Sequence, residues 1–111
     1  MDPTQQEVHD VFEELYHTLT EAYWVASTIT DKDRIRGAAD AVFDIVTSLN
    51  RADIRSRTEE FAPLKDKVII VTQKLAALQS EIDSVIHNVS VATGVVQAIS
   101  KALEFGAKFF V

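Results

Sequence analysis

One apolar pattern constrains this chain more than anything else in it. Phe61, Leu64, Val68, Val71, Leu75, Leu78, Ile82, Val85, Val89, Ala92, Val96, Ile99, Leu103, Gly106 and Phe110 alternate three and four residues apart without a skip, and every one but Gly106 is apolar. A 3.5-residue period held for about seven heptads is the signature of helices packed knobs into holes. The fold class is therefore all-α, an antiparallel helical assembly with coiled-coil-like packing.

Two shorter stripes precede the seam. Val8, Phe12, Leu15, Leu19, Ala22, Ala26 and Ile29 form the first, and Ile35, Ala38, Val42, Ile45, Leu49 and Ala52 the second. Each marks an amphipathic helix. Asp2 and Pro3 suit an N-cap and first helical position. The run Thr28-Ile29-Thr30-Asp31 offers a stop and then a new cap at Asp31, and Pro63 marks the next boundary. The expected elements are a helix over about 3–29, one over about 32–50 or longer, and a very long third over about 62–110, all in one domain spanning 1–111. Arg51, Arg55 and Arg57 lie in the charged connector between the second and third.

The third helix poses a problem of cover. Unbroken, it is about 75 Å long at about 1.5 Å per residue, roughly twice the length of either helix before it. Its first half can be covered within the chain. Its second half needs a fold-back, a second copy or a bilayer. A break near Asn88–Gly94, where helix propensity is poorest, gives a four-helix up-down bundle instead. The unskipped phase across that site favours one continuous or merely bent helix.

From that uncovered half follows the expected function: a non-enzymatic interaction or assembly protein that self-associates, most simply as a dimer. The expected interface is Val85, Val89, Ala92, Val96, Ile99, Leu103 and Phe110. A row of small residues, Ser90, Gly94, Ala98, Ala102 and Gly106, permits close helix approach beside it. Residues 84 to 100 carry no formal charge, but Asn88, Ser90, Thr93, Gln97 and Ser100 dilute their hydrophobicity. A constitutive membrane span is thereby excluded, while a conditional, membrane-perturbing role stays as an alternative.

Charge narrows the partners. The net charge is −6, and residues 1 to 30 hold six acids with no Lys or Arg. Such a surface repels a phosphate backbone, which argues against nucleic acid and leaves a basic protein surface as a second kind of partner, in the manner of small helical immunity proteins or antitoxins. With 47% hydrophobic residues, three Gly and two Pro, the composition is that of a folded helical chain.

Chemistry finds little purchase. The chain has no cysteine, hence no disulfide, thiolate metal site or thiol nucleophile. Glu14 and His17 have the Glu-x-x-His spacing of carboxylate-bridged di-iron bundles, but no second copy of the motif exists. Asp83 and His87 lie one turn apart and supply at most two ligands. No phosphate-binding loop or nucleophile elbow occurs. No catalytic residue, cofactor or metal is implied. Trp24, beside Tyr23, is expected to cap the core. The N-terminus lacks a basic, apolar leader, which points to the cytoplasm. The apolar end Lys-Phe-Phe-Val suggests a piece of a longer protein.

Overall fold

Three helices of the chain begin where a side chain takes up an unpaired amide of the first turn. Thr4 starts α1 (Gln5–Val25) with a reciprocal cap: its hydroxyl accepts from the Glu7 amide, and the Glu7 carboxylate accepts from the Thr4 amide. The expected cap at Asp2 is not used. Gln5, which a cap at Asp2 needs at its third position, instead donates to the Leu49 carbonyl and accepts from the Ile54 amide. Thr28 caps α2 (Ile29–Leu49) through the Asp31 amide, three residues before the expected start, so Ile29 opens α2 rather than closing α1.

The computed structural model describes residues 2–50 and 53–110. Among them α3 spans Thr58–Ser80, α4 is a single turn at Ile82–Val85, and α5 spans Val89–Phe109. The expected continuous helix over 62–110 is thus two helices and a corner. The described residues are all-helical, with five α-helices in one globule of 42 × 26 × 19 Å. The local reason for the corner lies in the stretch Asp83 to Ser90. β-Branched Val85, Ile86 and Val89 alternate there with Asp83, Ser84, His87 and Asn88, none a strong helix former. Asn88 serves better as a cap, its side chain accepting from the Val91 amide to start α5.

Pro63 is also placed differently from expectation. It lies inside α3, which begins five residues earlier at Thr58 with Glu59 and Glu60 in its first turn, where acids favour the helix dipole. Between α2 and α3 a short 3-10 turn, Ile54–Ser56, buries Ile54.

The core forms around α1, whose Val8, Val11, Phe12, Leu15, Leu19 and Ala22 are all buried. α2 returns beside it with Ile35, Ala39, Val42, Ile45, Val46 and Leu49. α5 packs on its other flank, and α3 meets α2 and α5. On α3 the seam lies where expected, since Leu64, Val68, Val71, Leu75 and Leu78 are buried. On α5 it has shifted: the buried stripe is Ala92, Val95, Ile99, Ala102, Gly106 and Phe109. Val96 and Leu103 are displaced to its margin, half-buried.

Gly106 explains the shift. A Cβ built on it meets the Phe12 ring at 3.4 Å, so a glycine with Ala102 one turn before it lets α5 settle against α1. Bulky Leu103 in that place holds the two backbones apart.

Candidate functional site

The residues expected to form an intermolecular interface are mostly used inside the chain. Val85, Ala92, Ile99 and Phe110 are buried in the core, and Val96 and Leu103 pack against it. The distal half of the seam is covered by fold-back, through α1 and α3, so the lack of cover from which that interface was inferred does not exist in this fold. Phe110 stacks on Phe61 with centroids 5.6 Å apart, and Phe109 meets both rings edge-on. Of the seven, Val89 alone is well exposed, at 78%. The small-residue row divides similarly. Ala102 and Gly106 enter the core, Ser90 is exposed, and Gly94 and Ala98 are half-buried, with open space where a Gly94 Cβ would stand.

The other candidate residues are scattered. Glu14, His17, Asp83 and His87 are exposed, and no three His, Asp or Glu side chains converge to hold a metal among the described residues. Arg51 lies outside the described residues. Arg55 is engaged at the end of α5, where its guanidinium donates to the Phe109 carbonyl at 2.6 Å and lies 4.4 Å from the Phe109 ring centre. Arg57 stands 3.7 Å from Glu60.

His9, which with His17 and His87 makes no credible catalytic set by sequence, has a buried position that the sequence reading did not foresee. It is 8% exposed on α1, with Nδ1 3.0 Å from an Asp10 carboxylate oxygen and Nε2 3.6 Å from Glu13. That hydrogen bond holds the Asp10 carboxyl below its ordinary range. His9 sits one turn before Phe12, so position on the helix was the available signal.

What the fold leaves open is an apolar end. α1 finishes and α2 begins there, joined by Ala26–Thr28, and the α4–α5 corner lies against that turn through an isolated antiparallel bridge between Ala26 and Ile86. The Ser27 amide and hydroxyl both donate to the Val85 carbonyl, each at 3.0 Å. Around this junction Trp24 is 74% exposed, Ile29 79% and Val89 78%, with Val25 also outside the core. Trp24 therefore does not cap the core. It meets Tyr23 edge-on, and the Lys32 ammonium lies 5.3 and 5.9 Å from the two ring centres.

Two open hollows flank this end. One, about 350 Å³, runs between α1 and α2 along Tyr16, Tyr23 and Trp24, with Arg36 and Asp40 at its rim. The other, about 530 Å³, lies at the corner and is walled by Ile82, Ile86, Val89, Ala92 and Val96. No helix among the described residues is long and apolar enough to cross a membrane. Comparison with protein-family models, with curated protein sequences and with solved structures gives no match to this chain.

Proposed function

We propose that the chain is a non-enzymatic interaction module that self-associates through its apolar end, built on a four-helix up-down arrangement in which α4 is a corner. The observation that carries this reading is the gathering of Trp24, Val25, Ile29 and Val89, all exposed, at one junction of helix ends. Leaving large apolar side chains in water forfeits roughly 1.5–3 kcal/mol for each that would otherwise be buried. Exposed apolar side chains that gather into one patch mark interaction sites.

A second copy suits the surface because its surroundings carry both signs of charge. Lys32, Arg34 and Arg36 alternate with Asp31, Asp33 and Asp40 at the start of α2. Pairing about a two-fold axis sets the acids of one copy against the bases of the other, as an isologous interface requires.

Light scattering over a concentration series tests the proposal. The wild-type chain is expected to form a reversible dimer, and Trp24→Ser with Ile29→Ser to remain monomeric with unchanged helicity. A wild-type chain that stays monomeric throughout rejects the reading. Flotation with neutral and anionic vesicles separates it from the membrane alternative: co-flotation abolished by the same double substitution assigns the apolar end to lipid instead.

A further inference from the structure

We propose that the α4 corner is a domain-swapping hinge: α3, α4 and α5 straighten into one helix, and α5 takes its place against α1 of a second copy. This deepens the self-association proposed above and rests on that reading, but it acts through exchange of α5 rather than through Trp24 and Ile29.

The first ground is that nothing in the corner forbids a helix. Glu81 to Asn88 contain neither Gly nor Pro, and none of them has a left-handed φ. The turning residues adopt conformations open to any side chain, with φ/ψ of −111/10 at Glu81, −128/114 at Ile86 and −76/109 at Asn88.

The second ground is phase. The sequence keeps its three-four alternation straight through the corner, which a permanent turn does not require. In the folded-back chain Ile82 and Ala92 are buried, but they border an open hollow together with half-buried Val96 and exposed Val89. In a straight helix over residues 58–109, about 78 Å long at about 1.5 Å per residue, Val89 falls on the seam between Val85 and Ala92. Two such helices, antiparallel and crossing at the hinge, bring the Val89 side chains to the new interface. The one seam residue that the fold leaves mostly in water is thus the one that swapping covers.

The third ground is a competition for one acceptor. In a helix the Val85 carbonyl accepts from the Val89 amide. In the folded-back chain it accepts from Ser27 instead, through both amide and hydroxyl. Ser27 is therefore a latch that holds the corner bent. All contacts between α5 and the rest, including Gly106 on Phe12, re-form in trans, so exchange costs little beyond association.

The test exploits the position of Val89. It is the first residue of α5, where proline is tolerated, and Asn88 before it is already extended, as a pre-proline residue must be. In the straight helix, proline at this place removes the amide bonded to Val85 and clashes with its carbonyl. Wild type refolded from urea at high concentration is expected to yield a dimer that persists on dilution. Val89→Pro should give monomer alone with native helicity, and Ser27→Ala with Asn88→Ala should raise the dimer fraction several-fold.

A cysteine pair reports the topology directly, because the chain has no cysteine of its own. The Gln79 amide donates to the Ser100 hydroxyl at 2.7 Å across α3 and α5. Q79C with S100C, oxidised in the dimer, should run as a covalent dimer under denaturing, non-reducing conditions. Covalent monomer from a dimeric sample means docking of folded-back copies and overturns the swap while leaving the self-association reading intact. Persistence of the dimer in Val89→Pro overturns it too, as does a wild type that refolds only to monomer.

Discussion

α3 and α5 inherit one continuous apolar seam and use it in different ways. On α3 the buried positions are those the heptad names: Leu64, Val68, Val71, Leu75 and Leu78. On α5 the pattern is offset by one residue at alternate positions, so that Val95 and Ala102 lie where Val96 and Leu103 were expected, and Phe109 is buried alongside Phe110. The difference comes from what stands beside the seam. On α3 the residues directly before Phe61, Val68 and Leu75 are Glu60, Lys67 and Lys74, so the same offset would bury charge. α5 has apolar pairs at 95–96, 102–103 and 109–110, so two registers compete, and close packing decides between them. Ala102 and Gly106 decide for the register that lets Phe12 bury its ring against the helix.

The largest effects should arise where that register is fixed. Phe12→Ala removes a fully buried ring and leaves a cavity against Gly106, which should cost about 3–5 kcal/mol in urea denaturation. Gly106→Val should cost about 1–3 kcal/mol by overpacking, since its branched carbons extend beyond a Cβ already 3.4 Å from the ring. Gly106→Ala should be close to neutral, contact being offset by helix propensity. If Gly106→Val is tolerated, the close approach of α5 to α1 is not what sets the register.

A subtler comparison separates the two registers directly. Val95→Thr places a hydroxyl at a position with no solvent exposure, whereas Val96→Thr places it at a half-exposed margin. The first should cost about 1–3 kcal/mol and the second well under 1. The heptad read from sequence gives the opposite order, and equal costs contradict both.

Helix content, the approximate positions of α1 and α2 and the stripe on α3 were readable from apolar spacing, because each buries one unambiguous face. The corner was legible only as an alternative, a break near Asn88–Gly94 at poor helix formers: the unskipped phase pointed the other way, and extended φ/ψ values open to any side chain, as at Ile86 and Asn88, need no marker residue. Capping was misread at Asp2 and Asp31 because Thr4 and Thr28, in the right place with Glu7 and Asp31 three residues on, compete for the same role. The apolar end was invisible for another reason. Trp24 and Ile29 are far from Val89 in sequence, and Ile29 and Val89 continue stripes whose other members are buried or half-buried. Only the three-dimensional junction of Ala26 with Ile86 shows that they share an end.

The smallest test addresses the bond that ties the two halves of the seam together. Gln79, on the margin of α3, donates through its side-chain amide to the Val96 carbonyl at 3.0 Å and to the Ser100 hydroxyl at 2.7 Å. The site is only partly buried, and water replaces part of what is lost, so Gln79→Ala should cost about 0.5–1.5 kcal/mol. Ser100→Ala removes one acceptor and leaves the carbonyl, which should cost less than half as much. The double substitution should then fall short of the summed single effects, because both act through one side chain. Strict additivity would mean that Gln79 does not bridge the helices, and that α3 and α5 are held together by their apolar faces and the Phe61–Phe109–Phe110 cluster alone. In that case nothing polar fixes the longitudinal register of α5 on α3. Exchange of α5 between copies would then be governed by the hinge and by the Phe12–Gly106 contact.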